Sequence, residues 1–364
     1  MATLPEHAVA EVRLPTDDLN ADMAFFRKIG FRLDQIFPAD DPSTAVLSGH
    51  GLSVRLQRGA AEEPATVRIL TPDPQTFAEG ATELVAPNGT KIEISRLNPR
   101  LQIPQTEHHF MVRRLRDEAP WVIGRAGMHY RDLIPDRLGG SIIASHIRIP
   151  DRGPVPDMVH YHIVGFQLIY CYRGWVDVVY EDQGPPMRLT AGDCVIQPPQ
   201  IRHRVLEASD NVEVVEIGVP AEHITTIDHE LELPNNRVDP GREFDGQRFV
   251  HHQVADAVWE PWRLPGFELR ETGINDGTQG VASVQVARRT SGTIPSWSHN
   301  GDILFAFVLE GGMTLAADGH NPEHLGPGDA FVVPPGLTVT FSECRDDLEI
   351  LEVALPGRFE TTTS

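Results

Sequence analysis

The carboxy-terminal two thirds of this chain is written twice, which restricts the fold to one that sets two like units side by side. Asn211-Val-Glu-Val-Val-Glu-Ile-Gly-Val-Pro220 aligns with Asp347-Leu-Glu-Ile-Leu-Glu-Val-Ala-Leu-Pro356. Gly192-Asp193 and Pro198-Pro199 align with Gly328-Asp329 and Pro334-Pro335, Tyr130-Arg131-Asp132 with Leu269-Arg270-Glu271, and Pro120-Trp121 with Pro261-Trp262. Order is kept throughout, and the offset drifts only from 141 to 136, so the copies cover about 107–228 and 249–364. Each copy is a series of short apolar runs, such as Ile142 to Ile149, Phe166 to Tyr172, Trp175 to Tyr180, Cys194 to Gln197 and Val212 to Val219. Gly-Asp, Pro-Pro and Gly-Pro pairs punctuate them, in a chain with 31 Gly and 30 Pro. Runs of that length between turn residues specify strands. The repeats therefore read as two packed β-barrels, with 97–228 as the first barrel and its connector and 249–364 as the second. Residues 229–248, with Pro234-Asn-Asn and Asp239-Pro-Gly, read as a linker.

Residues 1–96 lie outside the repeat and follow a different pattern. A strand-like run from Ala8 to Leu14 leads to Asp17-Asp18, an acidic helix start. Leu19, Met23, Phe26 and Ile29 recur at helical spacing, and Gly30 ends the helix. Strand-like runs follow at Phe31 to Phe37, Ala45 to Ser48 and Leu52 to Gln57. This βαβββ order, with Phe25-Phe26-Arg-Lys-Ile-Gly-Phe31, resembles the module of the glyoxalase, or vicinal-oxygen-chelate, superfamily. A shortened second module closes with Asn88-Gly89-Thr-Lys-Ile92-Glu93-Ile94. The resemblance would put metal ligands at Glu11 and Glu93, but a truncated second module argues against a complete ligand set. His50, between glycines, reads as an exposed turn residue.

Bulk properties narrow the partners. A chain of 364 residues is too long for one core. Its net charge of -21 argues against nucleic acid and anionic membranes as partners. No run of about 20 apolar residues is present to span a bilayer. Met1 to Glu11 lacks the basic and apolar regions of a signal peptide. Cys171, Cys194 and Cys344 are scattered and odd in number, so no disulfide framework is expected. The expectation is a cytoplasmic protein, a homodimer, acting on a small molecule.

Chemistry is concentrated in the first copy. His160 and His162 stand two apart on one strand-like run and so project from one face. Gln167 follows, then Gly174; later come Gly192, Pro198 and His203. Imidazole is the commonest protein metal ligand. This spacing resembles the two cupin motifs, HxHx4(E/Q)x6G and Gx5PxGxxH, with Gln200 where the second pattern has glycine. The resemblance implies a bicupin, mainly β, behind a small α+β glyoxalase-like domain. It implies one divalent metal ion on His160, His162, His203 and Gln167, the last as an oxygen donor or a hydrogen-bonding neighbour of the ligands. An imidazole-rich set suits Fe, Zn, Ni and Cu, and Mn with more oxygen ligands; Fe(II) fits best with an oxygenase. The neutral ligands leave the full charge on the ion, which favours an anionic substrate chelating through two oxygens. The leading expectation is a dioxygenase; a redox-neutral isomerase or lyase and a non-catalytic binding protein stay open.

The second copy has lost this set. Its matching positions hold Trp297, His299, Leu304 and Val339, so a structural, apolar barrel is expected there. In the first copy His146 is the candidate base, on the run Ile142 to Ile149. Strand alternation groups Cys171 with Gln167 and puts Tyr170 and Tyr172 on the other face. Gln197 is expected to face the cavity. The pairs His108-His109 and His251-His252 point to opposite sides of a strand and read as edge or loop polar residues.

Overall fold

The computed structural model describes residues 10–38, 42–97, 99–117 and 121–364, so Pro120 and the first residues of the Ala8 run lie outside the described residues. The chain divides into two compact units, Met1–Arg100 and Leu101–Ser364.

In the first unit, strand Val12–Thr16 is followed by helix Leu19–Lys28 and strands Arg32–Phe37, Thr44–Gly49 and Leu52–Arg58. The first strand pairs in parallel with the last, and the other pairings are antiparallel. Asp18 caps the helix by accepting from Ala21 N at 3.0 Å. Gly30, at φ 96°, turns the chain out of it. Leu14, Leu19, Phe26, Phe31, Leu47 and Leu56 form the core. A second group, Thr66–Thr71, Glu83–Val85 and Lys91–Arg96, makes a three-stranded sheet whose Ile69, Ile92 and Ile94 join that core. Glu11 is exposed and ion-paired with Arg55 at 2.7 Å, and Glu93 is exposed. His50 Nε2 donates to Ile29 O at 2.8 Å and the ring sits edge-on between Phe31 and Phe77, which fixes the turn.

In the second unit each copy of the repeat is a pair of sheets. The first lobe joins a seven-stranded sheet to a six-stranded one; the second joins seven strands to five, in the same strand order. Alternation along each central strand builds two cores at once. Phe166, Leu168, Tyr170 and Tyr172 face the other lobe, where they meet Phe305, Phe307, Val284, Leu351 and Val353. Ile169 and Cys171, of opposite parity, face the interior of the first lobe with Ile147, Val176, Val178 and Val214. The second lobe is filled by Trp297, Leu304, Leu315, Phe331, Val339 and Phe341.

The lobes exchange edge strands, which changes the boundaries expected from the repeat. Met111–Arg113, expected in the first barrel, pairs with Ala330–Val332 of the second lobe. His251–His252, expected in the second, pairs with Cys194–Ile196 of the first. Paired clasps hold the exchange. Asp193 accepts from Val254 N at 2.7 Å, and Asp329 from Leu115 N at 2.7 Å. Arg270 donates to Gly192 O, and Arg131 to Gly328 O. The repeated Gly-Asp pairs are thus both turns and receptors for the other copy's strand. Residues 229–248 form no free linker either. Asn235 and Arg242 bind the buried Asp182, Phe244 enters the first-lobe core, and Gln247 Nε2 donates to Gly165 O.

Asp193 also accepts from Thr190 N and Thr190 Oγ1, both at 2.8 Å, and is 3% exposed. Its removal strands three donors. Asp193→Ala is expected to lower the unfolding free energy by about 2–4 kcal/mol, at the scale of hydrogen bonds to a charged acceptor. Urea unfolding measures this, and a loss below about 1 kcal/mol would remove the clasp from the account.

Candidate metal centre

Three imidazoles converge inside the first lobe. His160 and His162 lie on strand His160–His162, and His160 pairs directly with His203, the first residue of His203–Ala208. Tyr161, between the two, points outward under Arg202. One nitrogen from each of His160, His162 and His203 falls within 4.8 Å of the others, and all three residues are buried.

Each ring is turned by a bond at its outer nitrogen. His160 Nδ1 lies 2.7 Å from Met158 O and His203 Nδ1 3.0 Å from Ile201 O, so both donate to the carbonyl two residues back. His162 Nδ1 lies 2.8 Å from Thr225 Oγ1. The carbonyl bonds set the tautomer of His160 and His203 and leave Nε2 as the inward lone pair, and Thr225 Oγ1 can accept from His162 Nδ1 to give the same arrangement there. Burial holds all three imidazoles well on the neutral side, His162 down to about 2. His160 Nε2 is buried and has no partner. Three acceptors facing one point with no donor among them are what a cation would satisfy, so the donor set fits a divalent metal.

Asp157, whose side chain is 1% exposed, anchors the site. Its carboxylate accepts from Met158 N and Val205 N at 2.9 Å, pairs with Arg125, and lies 3.7 Å from His160 Nδ1. Tyr180 stacks on His203 at 5.5 Å and is held by Gln197 Nε2 at 2.9 Å.

Gln167 sits on strand Phe166–Arg173 of the opposing seven-stranded sheet, 1% exposed. Its Nε2 donates to Glu216 Oε1 at 2.6 Å, and its Oε1 is buried without a partner. The carboxylate it holds, Glu216, lines the cavity with the triad. A chamber of about 60 Å³ has walls of Ile147, Ile169, Val176, Val178 and Val214, with the three histidines, Gln197 and Glu216. Outside it lies a cleft of about 570 Å³, and both spaces share Arg125, Tyr130, His162 and Glu216. His223, its Nδ1 3.0 Å from Pro220 O, lines the cleft beside His162.

His146, the expected base, is not in this cavity. Ser145, Ile147 and Ile149 of its strand line the two spaces, so residue 146 has the opposite parity. His146 is fully buried toward the other lobe, 2.6 Å from Glu213 and edge-on to Trp121, Tyr172 and Phe307. Cys171 packs in the core, and burial pushes its thiol up to about 12. Gln197 does face the chamber. His108 and His109 contact Asp302 and Asp136. The carboxylate Glu216 was missed, although an acidic residue inside the apolar run Val212–Val219 is a visible signal. Arg125 and His223 came from connecting segments, and Tyr130 and Thr225 from the short strands His129–Asp132 and Thr225–Ile227, none of them marked by a ligand motif.

In the second lobe, His299 Nε2 meets Val333 O at 2.9 Å and its Nδ1 accepts from Gly301 N at 3.1 Å. Both nitrogens are engaged by backbone. Trp297, Leu304 and Val339 are each 1% exposed in the apolar filling.

Comparisons with known proteins agree with this fold. The model of the EutQ-like cupin domain matches residues 277–345, in the second lobe. Salicylate 1,2-dioxygenase from Pseudaminobacter salicylatoxidans superposes with a TM-score of 0.53 at 16% identity, covering 72% of this chain and 90% of that one. Lactobacillus farciminis oxalate decarboxylase, in a formate complex, gives 0.53 at 12% identity, with 72% and 89% covered. The Bacillus subtilis oxalate decarboxylase gives 0.50 at 13%, with 70% and 78% covered. At such identities the likeness is one of fold. Curated protein sequences give no significant match.

Two expectations follow. Asp157→Ala should weaken Co(II) binding about 10–100-fold with the triad intact, as loss of an orienting partner does; competition with a chromophoric chelator reads it, and an unchanged affinity would exclude the anchoring role. Gln200, at φ 64°, keeps the turn that Gly336 makes at φ 79° in the second copy. Gln200→Gly should stabilise the protein by about 0.5–1 kcal/mol, the left-handed strain less the added chain entropy, seen as a higher unfolding midpoint.

Proposed function

We propose that this chain, a cupin in fold, is a bicupin metal-dependent dioxygenase. Its substrate would be a small anionic or aromatic molecule bearing two adjacent oxygens. The observation that carries the reading is the set of three neutral, pre-oriented imidazoles in a small, mostly apolar chamber, one of which, His162, also lines a larger charged cleft. His160, His162 and His203 would hold the metal, with Gln167 as a further donor through its unpartnered Oε1. A bound divalent ion, Fe(II) on this reading with Zn, Ni or Mn as rivals, supplies Lewis acidity and electron transfer to dioxygen.

The remaining work falls to the protein. Arg125, steadied by Asp157, places positive charge where an anionic substrate enters. Glu216, held by Gln167, offers a carboxylate at the junction that can take a proton from a substrate hydroxyl. The chamber walls Ile147, Ile169, Val178 and Val214 exclude water from the inner side.

Glu216 also favours a second reading. A carboxylate beside the triad is what an isomerase or lyase needs to move a proton without net oxidation. Residues 1–96 are proposed as a glyoxalase-like module, supported by the strand–helix–three-strand order and the parallel first and last strands.

Elemental analysis of purified protein should give one metal per chain, and none in His160→Ala. Oxygen electrode traces with the Fe(II)-loaded protein and catecholic, salicylate-type or α-hydroxy acid substrates should show uptake. Conversion under argon would replace the dioxygenase with the redox-neutral reading. A co-purifying ligand released unchanged, with no turnover, would reduce the chain to a binding protein.

A further inference from the structure

The cleft has a depth axis that its strands measure. Tyr130, Ile147 and Val214 stand opposite one another across three paired strands, and one step outward stand Asp132, Ser145 and Glu216. Alternate residues on a strand are about 7 Å apart. The inner chamber reaches Tyr130, Ile147 and Val214, while Asp132 and Ser145 line only the outer cleft. Two guanidiniums, Arg113 and Arg137, join them there and are absent from the chamber lining.

Neither is there by default. Arg113 arrives on the exchanged strand Met111–Arg113, hydrogen-bonded to the second lobe, yet lines a cleft of the first. It is half-buried, its Nε is buried with no partner, and no ion pair holds it among the described residues. Arg137 sits at φ 56° and Leu138 at φ 47°, a left-handed pair that non-glycine residues rarely adopt. Leu138 is buried in the inter-lobe core, which fixes the turn and with it the position of Arg137. The nearest counter-charge is Asp132, 3.7 Å from Arg137 Nε. Glu216 is already engaged by Gln167, and Arg125 by Asp157.

We infer that Arg113 and Arg137 form a subsite for a carboxylate at the far end of the ligand, about one strand step beyond the atoms bound at the histidine triad. Two guanidiniums against one carboxylate leave a single positive charge, which matches a monoanion. The planar fork of arginine matches carboxylate geometry. The cleft, at about 570 Å³, holds a ring with a side chain and is far larger than a two-carbon acid needs. The substrate class is thus narrowed from a chelating oxygen compound to one that carries a second, distal carboxylate. This rests on the metal reading for the chelating end alone.

The test uses two catechol probes, one bare and one carrying a carboxyethyl arm. Fe(III)-loaded full-length protein is titrated with catechol and with 3-(3,4-dihydroxyphenyl)propanoate, following the catecholate-to-iron charge-transfer band. The carboxylated probe should bind at least tenfold tighter. In Arg113→Met/Arg137→Met the advantage should vanish while the Kd for catechol stays within twofold. Equal affinities in the wild type, or a preference that survives the double substitution, would overturn the subsite. Absence of both iron and band would overturn the metal reading instead. The subsite is then read in metal-free protein by calorimetry with terephthalate and benzoate. Terephthalate should bind the wild type and fail with the double variant, and indifference to the substitutions overturns the proposal.

Discussion

The exchange of edge strands is the constraint on which the rest of the second unit depends. Each lobe is closed by a strand from the other copy, and each closing strand ends on a buried aspartate of the repeated Gly-Asp pair. Arg131 and Arg270, 0% and 2% exposed, reach across to the glycine carbonyls of those pairs. Burial draws the Arg131 guanidinium down to about 10, which still leaves it charged near neutrality. Neither lobe can lose the other without unpairing a sheet edge and stranding buried charge, both costly events. The apolar interface of Tyr170, Tyr172, Phe305 and Phe307 is therefore permanent. Gln167 and Ile169 lie between those interface residues on one strand, so a fixed interface also fixes the side chains that look into the cavity.

Against that shared frame, the two copies differ where chemistry would occur. Glu216 and Glu352 are repeat partners. Glu352 is held by both Nη atoms of Arg263 and is closed off, whereas Glu216, among the described residues, is hydrogen-bonded by the amide of Gln167 and keeps a side toward the cavity. His162 O receives Gln200 N at 3.0 Å, and His299 O receives Gly336 N at 2.8 Å, so the turn survives in both. What changed is the interior: three histidines in one lobe, and tryptophan, leucine and valine in the other. An apolar filling packs without polar partners, which suits a lobe whose task is to brace its neighbour.

The fold was legible because its signals are local. Short apolar runs, Gly-Asp and Pro-Pro turns, and the i, i+2 pair His160/His162 each follow from backbone geometry alone. The sheet partner of Met111–Arg113 was not legible, since a repeat alignment says which residues are equivalent and not which copy's edge they complete. His146 failed for a related reason. Each parity of its strand mixes apolar and polar residues, Ile143, Ser145, Ile147 and Ile149 against Ala144, His146 and Arg148, so the pattern Ile143–Ile149 does not reveal which parity faces the cavity. Gln167 was readable as a candidate ligand, but its bond to Glu216 depends on the pairing of strands 49 residues apart. Linker composition likewise misled at 229–248, where polar residues serve Asp182 and Glu181 and hold the segment on the lobe.

Charge decides what can reach the triad. The chain carries -21 overall, which would repel an anion at long range. At physiological ionic strength, however, surface fields fade within about 8 Å. An approaching anion therefore responds to the residues lining the entrance more than to the distant acidic surface. There Arg113 and Arg137 stand with Asp132 and Glu216, and Arg125 is paired with the buried Asp157. Deeper in, the imidazoles are neutral and most of the walls apolar, with Arg125 and Glu216, shared with the cleft, as the charged groups of the lining. Low polarity there strengthens whatever electrostatic contact forms. One step along the same strands exchanges Tyr130, Ile147 and Val214 for Asp132, Ser145 and Glu216, so polarity rises toward the mouth, where Arg113 and Arg137 stand with these residues.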